Sequence, residues 1–461
     1  MGTSSAKPRS GAADGDGFSG VVGKVIREHS DYGIQPGFST LQNQELSFQG
    51  ARNVDFRGKW RLRERVGTFS EAFQQYEQVA NQAALEQRPN PGLAGLSARL
   101  RQFHRMLQPM DDVALARLAR EASVQTRFNF GRTMRLFAPL YVSNECINNC
   151  QYCGFSRDNL DILRVTLEEN QVEAEAAHLA GLGFRNILLV AGEHPKYVSN
   201  GYLERCIRRV LPHAPSIGIE VAPMEIADYV PLVQAGSESL VVYQESYDRE
   251  AYQIMHTAGP KRNFDWRLDT LERGYAAGFR RLQAAALMGL SPDWRREATC
   301  LALHVEHLLK HCWRAFISVG LPRLRPCAGG ITPRAQLSDR ELIQYICALR
   351  LTFPQVGITL STREDAALRD VLFPLGVTMA SAGSHTEPGG YTGAGREKLH
   401  HTVRGREVAL AASEKASGEA TGQFDIADER SPAEISELLL HLGLEPVWKD
   451  WDLGLAPDEA A

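Results

Sequence analysis

The sequence predicts an α/β protein built on a closed (β/α)8 barrel of the TIM type, with an N-terminal helical extension and a C-terminal tail. Three observations lead there. From Leu136 onward, short apolar runs alternate with amphipathic stretches at helical spacing, the pattern of a parallel sheet with crossover helices. Eight such runs occur, and each is followed by the polar or Gly- and Pro-bearing residues expected of loops at the C-terminal ends of barrel strands. The first of those loops carries three cysteines, Cys146, Cys150 and Cys153.

With 461 residues, 43% apolar and 23% charged, the chain has ample material for a large core. Its net charge of −4 gives no basic footprint for nucleic acid or an anionic membrane. No transmembrane-length apolar run and no signal peptide is seen, and the remaining cysteines are scattered, so a cytoplasmic protein with reduced thiols is expected.

Residues 1–30 read as a disordered tail, because Met1 to Gly20 is rich in Gly, Ser, Ala and Asp and offers little apolar surface to bury. Residues 31–135 form the extension. In it Phe38, Leu41, Phe48, Phe56 and Trp60 are apolar anchors, and the basic run Arg57 to Arg65 is a solvated face. Helical periodicity starts at Phe69, with Phe73, Tyr76, Ala80 and Ala83 on one face; a second helix takes Leu93, Leu96, Leu100 and Phe103. Asp111-Asp112 opens a third.

The barrel spans 136–385, and 386–461 is a segment that closes it. Its strands are Pro139 to Ser143, Asn186 to Val190, Ile217 to Val221, Ser239 to Tyr243, Leu282 to Leu287, Ala315 to Val319, Gly357 to Leu360 and Gly376 to Ala380. Helices at Leu167 to Ala180, Gly201 to Leu211, Trp266 to Ala277 and Asp339 to Arg350 separate several of them. The strand ends then gather Ala191-Gly192-Glu193-His194, Pro223-Met224-Glu225, Gln244-Glu245, Met288-Gly289-Leu290, Pro322 to Pro326, Ser361 to Glu364 and Ser381 to Thr386 at one mouth.

The C-x3-C-x2-C spacing carries the chemistry. Three thiolates on one loop can hold three irons of a cubane iron-sulfur cluster and leave the fourth iron open to a small molecule. A structural zinc wants four ligands, and no second cysteine pair supplies them. Tyr152 can lay its ring against the cluster, and Gly154 lets the backbone turn beside it.

From about Phe69 to Asp452 the chain resembles the 2-iminoacetate synthases, tyrosine lyases of the radical S-adenosylmethionine (SAM) superfamily. The resemblance rests on Phe137-Ala138-Pro139-Leu140-Tyr141, Ser143 to Cys146, Cys153 to Asn159, Tyr243-Gln244-Glu245 and Gly259-Pro260-Lys261. It continues in Pro322 to Pro326, Ser361 to Glu364 and Pro446 to Trp451. It implies a 4Fe-4S cluster on Cys146, Cys150 and Cys153, and SAM as cofactor. It also implies cleavage of the Cα-Cβ bond of L-tyrosine to 2-iminoacetate and p-cresol for the thiazole of thiamine. Thiazole synthase would then be a partner, with an electron donor such as flavodoxin and its NADPH-dependent reductase.

Roles are expected on physical grounds. Gly192 and Glu193 match the SAM-binding stretch after the second strand, although Ala191 stands where many relatives have another glycine. Gln244 and Glu245 are placed for the ribose hydroxyls or an ammonium group. Arg323, Arg325 and Arg363 suit the carboxylates of SAM and tyrosine, because a guanidinium fork matches a carboxylate. Ser381, Gly383 and Ser384 are donors for the substrate, and His194, His256 and His385 are acid-base candidates for its phenol. Two other readings remain: a related aromatic amino-acid lyase, of hydrogenase-maturation or tryptophan type, and a non-catalytic iron-sulfur protein. The hydrogenase-maturation enzyme carries a second, C-terminal cysteine motif, whereas Ala348 to Ala461 contains no cysteine.

Overall fold

The computed structural model describes residues 67–403, 405–410 and 418–448. The expected tail at 1–30, the anchors between Phe38 and Trp60, the run Arg57 to Arg65, and the terminal Asp450 and Trp451 lie outside the described residues.

All eight expected barrel strands are present: β1 (Thr133–Ser143), β2 (Asn186–Ala191), β3 (Ser216–Glu220), β4 (Ser237–Glu245), β5 (Arg281–Ala286), β6 (Phe316–Gly320), β7 (Gly357–Leu360) and β8 (Met379–Ser381). Each pairs in parallel with the next, and β8 closes on β1 through Arg135↔Met379, Leu136↔Ala380 and Phe137↔Ser381. A ninth strand, β9 (Glu445–Val447), runs parallel to the start of β1. At least one helix lies between every two consecutive barrel strands. Among the described residues no helix is long and apolar enough to cross a membrane.

The core fills the layer between barrel and helices. On β3, Ile217 and Ile219 are buried in it, while Gly218 lines the barrel interior and Glu220, of the same parity, follows it inward. That interior holds a cavity of about 560 Å³ lined by Phe137, Gly218, Tyr243, Gln283, Thr359 and Ser361, among others. Its floor is polar: Arg135 donates to Asn186 Oδ1 (2.9 Å) and Ser216 Oγ (2.8 Å) and lies 3.6 Å from Glu238.

Among the described residues three α-helices precede the barrel: α1 (Phe69–Leu85), α2 (Ala98–Met106) and α3 (Asp112–Phe130). Leu93 and Leu96 are not on α2 as expected; Pro91–Leu93 is a separate 3-10 turn and Ser97 caps the helix. The helix expected over Trp266 to Ala277 is also broken, into Phe264–Leu268 and Thr270–Ala277, at Asp269. The cause lies in the extension, because the Asp269 carboxylate accepts from Ser70 N and Ser70 Oγ, both at 2.7 Å, and Glu272 accepts from Phe69 N (2.9 Å). These carboxylates satisfy free N–H groups at the start of α1 and face its positive dipole end. Gly376, expected in the eighth strand, gives its carbonyl to Arg350 Nη2 (2.7 Å), and the strand begins three residues later.

An irregular strap, Thr421 to Asp428, crosses the C-terminal mouth of the barrel. Its backbone N–H groups reach four different loops: Thr421 to Leu163 O (2.9 Å), Gln423 to Thr386 O (3.0 Å), Asp425 to Pro326 O (2.9 Å) and Ala427 to Thr362 O (3.0 Å). At its end the buried Asp428 accepts from the buried Arg369 and from Arg430 Nη2 (2.7 Å).

Candidate active site

The cysteine loop leaves β1 at Ser143 and is tied at both ends. Arg164, fully buried, donates to the carbonyls of Asn144 (2.6 Å), Phe155 (3.1 Å) and Ser156 (2.7 Å). The Asn144 side chain bonds Val165 N, Leu163 O and Thr421 O, all within 3.0 Å. Gly192 N donates to Ser143 O (3.0 Å) and Ile147 N to Glu193 O (2.7 Å), so the loops after β1 and β2 lie against each other. A Cβ on Gly192 would overlap the Glu145 carbonyl oxygen, and one on Gly154 would overlap Gly422 O.

Cys150 is buried among Tyr152, Met255, Leu287 and Leu290, while Cys146 and Cys153 border a second apolar group with Tyr141, Phe155 and Val190. Burial pushes the Cys150 thiol up to about 12, with the Cys146 charge adding to it and Lys261 opposing. Cys153 is pushed higher, first by burial and then by Cys150 and Cys146. Among the described residues no three His, Cys, Asp or Glu side chains converge to hold a single ion. A cubane needs its three thiolates on three separate irons, and three soft donors on one buried loop fit that group.

Asn148 joins this loop to the next two. Its Nδ2 donates to Glu193 Oε2 (2.6 Å) and approaches Cys146 Sγ (3.8 Å), and its Oδ1 accepts from Lys261 N (2.9 Å). Lys261 Nζ in turn meets Glu245 Oε1 at 2.6 Å, with Arg267 Nη2 3.7 Å away. Burial alone would raise the Glu245 pKa; the charges of Lys261 and Arg267 outweigh it and hold the carboxylate below its usual range. Glu245 also ends β4 with φ at +72°, a strained backbone for a residue other than glycine. Beside it the Gln244 Oε1 is buried and unpaired.

Tyr152 donates its hydroxyl to His256 Nε2 (2.7 Å), because His256 Nδ1 is committed as donor to the Tyr252 carbonyl (2.7 Å). Burial, with Lys261 nearby, lowers the His256 pKa to about 3, so the ring is a neutral bridge with both nitrogens in use. Of the other histidines, His194 packs on Tyr197, and His385 forms a pair with Glu387 at 2.8 Å beside a small separate cavity.

The three arginines differ sharply. Arg323 is consumed by Glu364, Asp339 (2.7 Å) and the Leu337 carbonyl (2.9 Å), and braces the rim. Arg363 stacks its guanidinium 3.4 Å over Phe424 of the strap, with no carboxylate paired to it among the described residues. The Nε of Arg325 is buried without a partner, and so is Ser384 Oγ. Ser381 Oγ accepts from Thr362 N (3.2 Å), and Gly383 N donates to Arg430 O (3.1 Å).

Sequence reasoning overlooked Glu220, Arg267 and Gln423, and named Lys261 only within a resemblance. Glu220 sits at the inward end of β3, and its carboxylate has no hydrogen-bond partner among the described residues. The residue is half-buried, and burial with the nearby Glu245 charge raises its pKa to about 7 against Arg363, Lys261 and Arg267. The signal was available: a carboxylate at an inward position of an otherwise apolar strand.

Comparison with known proteins agrees with this geometry. The Radical SAM superfamily model matches residues 140–299 and the Biotin and Thiamin Synthesis associated domain matches 320–445, which includes the strap. The superfamily implies a 4Fe-4S cluster and SAM. The 2-iminoacetate synthase of Escherichia coli (strain K12) is 39% identical over 347 residues, 75% of this chain and 86% of that one. The 2-iminoacetate synthase of Salmonella typhimurium is 38% identical over the same shares. Among solved structures, the FeFe-hydrogenase maturase HydG from Carboxydothermus hydrogenoformans superposes with a TM-score of 0.69 and 31% identity, over 83% of this chain and 85% of that chain. On fold, mouth and sequence together, the chain belongs to the 2-iminoacetate synthase family of radical SAM enzymes.

Proposed function

We propose that this protein is a carbon-carbon lyase that cleaves the Cα-Cβ bond of L-tyrosine, giving 2-iminoacetate and p-cresol, with SAM converted to methionine and 5'-deoxyadenosine. One electron is needed to cleave SAM, and an electron and a proton convert the 4-hydroxybenzyl fragment to p-cresol. Support for this reading comes from one juxtaposition: the cysteine loop shares the barrel mouth with the unpaired Gln244 Oε1, Ser384 Oγ and Arg325 Nε, in a chain 39% identical to a 2-iminoacetate synthase.

Cys146, Cys150 and Cys153 would hold three irons of the cluster, with Tyr152 packed beside Cys150. When bound, the cluster and SAM supply the radical chemistry. The chain's own residues orient and exclude. Gly192 lets the β2 loop approach, Glu193 offers a carboxylate to the SAM ammonium, and Gln244 offers an acceptor to its hydroxyl groups. Arg325 and Arg363 take the carboxylates of SAM and tyrosine, Ser384 donates to the substrate, and Arg323 holds the rim through Glu364. Glu245 stays ionised beside Lys261 and orders the β4 loop. The strap keeps water and stray hydrogen donors out of the mouth.

In this reading residues 136–385 form the barrel and 386–461 the closing segment, with the protein working in the cytoplasm. Thiazole synthase consumes the labile imine, and flavodoxin with its NADPH-dependent reductase supplies electrons. The 31% identity to HydG favours a second reading, a hydrogenase-maturation lyase. Against it, Ala348 to Ala461 offers no thiolate for a second cluster.

Anaerobic incubation of the reconstituted protein with SAM, tyrosine and dithionite tests both. The expected products are p-cresol and glyoxylate from hydrolysed 2-iminoacetate, from one cluster per chain. Cyanide formed in step with p-cresol would favour the second reading, and indole from tryptophan without p-cresol from tyrosine would reject the first.

A further inference from the structure

Gln423 reaches from the strap to a sulfur of the cysteine loop, and each of its polar groups is engaged. Its N–H donates to Thr386 O (3.0 Å) and its carbonyl accepts from Gly154 N (3.0 Å). Its side-chain Oε1 accepts from Tyr141 Oη at 2.8 Å, and its Nε2 reaches Cys153 Sγ at 3.9 Å. Orientation of the amide follows from its surroundings. Reversed, it would turn a carbonyl oxygen toward the sulfur of Cys153, which is anionic when it binds metal, whereas the Tyr141 hydroxyl rewards the observed orientation with a buried hydrogen bond.

The three sulfurs are therefore unequal. Cys153 has the Gln423 amide and the Phe155 backbone N–H directed at it, and Cys146 has Asn148 Nδ2 at 3.8 Å. Cys150 lies among apolar side chains. Reduction adds negative charge to an iron-sulfur cluster, and a donor to a ligating sulfur stabilises the reduced form and raises the potential.

We propose that Gln423 is a positioning residue which, through its hydrogen bond to Cys153, sets the reduction potential of the cluster and makes it easier to reduce once the strap is seated. The donor arrives from 270 positions further along the chain, so this bond exists only with the strap docked across the mouth. Closure of the site and readiness to accept an electron become linked. The inference rests on the cluster assignment above and goes beyond it.

The test is EPR-monitored redox titration of the reconstituted full-length protein, with iron and sulfide measured on the same samples. Gln423→Leu is expected to keep iron and sulfide and to shift the midpoint to more negative potential. Gln423→Glu should shift it further in that direction, and Tyr141→Phe should give a smaller shift of the same sign, because the amide is no longer pinned. Should the leucine variant lose its cluster, the tyrosine variant decides by the same shift. Unchanged midpoints in variants with full iron content would overturn the proposal. A wild-type chain that takes up no iron would instead remove the cluster reading and this proposal with it.

Discussion

The Nζ of Lys261 lies 2.6 Å from Oε1 of Glu245 at the barrel mouth, where the Glu245 side chain is buried and that of Lys261 half-buried. Lys261 reaches there from the loop whose Gly259, at φ +90°, lets the chain pass Asn148 without a clash. Replacing Lys261 with Met leaves Glu245 facing Arg267 alone at 3.7 Å. Removing one partner of a buried pair costs about 3–5 kcal/mol at most, and Arg267 offsets part of it, so thermal unfolding of Lys261→Met should occur a few degrees below wild type. Lys261→Arg should recover part of the loss.

Glu220 predicts a pH dependence. Its folded pKa of about 7 lies above the ordinary value of 4.5, so the folded state holds a proton that the unfolded chain has lost. Stability from this group is fully present below about pH 4.5 and is lost as pH rises through about 7. The groups facing it are Glu245, Arg363, Lys261, Arg267, Tyr141 and Tyr243. Glu220→Gln should unfold at higher denaturant than wild type at pH 8 and nearly equally at pH 4.5, with a difference of at most ~3 kcal/mol. Equal differences at both pH values would contradict the assignment.

Gly192 allows no side chain, since a Cβ there would overlap the Glu145 carbonyl. Gly192→Ala should displace the cysteine loop while leaving the barrel folded. Misplacing a reacting group by about 1 Å costs on the order of 100-fold in rate, so SAM cleavage should fall by that much at near-normal far-UV circular dichroism. Cys150→Ala is the companion variant: it should lose iron itself.

The two outer arginines should separate by assay. Arg363 stacks on Phe424 with its donors unspent, so Arg363→Lys should raise the KM for tyrosine or SAM about tenfold with little change in melting temperature. Arg323 is committed to the buried Glu364. Arg323→Ala should therefore lower thermal stability, by about 3–5 kcal/mol, before it alters substrate affinity.

The barrel was legible because its signals are local. Apolar runs such as Asn186–Ala191 and Gly357–Leu360 end at polar loops, and three cysteines follow the first strand. The first six residues of β1 escaped because Arg135 interrupts them, and it faces a polar floor built by Asn186, Ser216 and Glu238. The break at Asp269 depends on Ser70, 199 positions away, and the strap is shaped by loops far from it in sequence. Long-range partners of this kind leave no periodicity to read. The same holds for the site: the cysteines announce themselves by spacing, whereas the unequal states of Arg323 and Arg363 follow from Glu364 and Phe424 in three dimensions.

The strap follows every barrel strand in chain order. During synthesis the cysteine loop and all eight strands therefore leave the ribosome before the segment that covers their mouth. A nascent chain stopped ahead of Thr421 has no bar across the cysteines and no amide at Cys153. Until Thr421 to Asp428 has been made, iron and sulfide meet the cysteine loop without that cover.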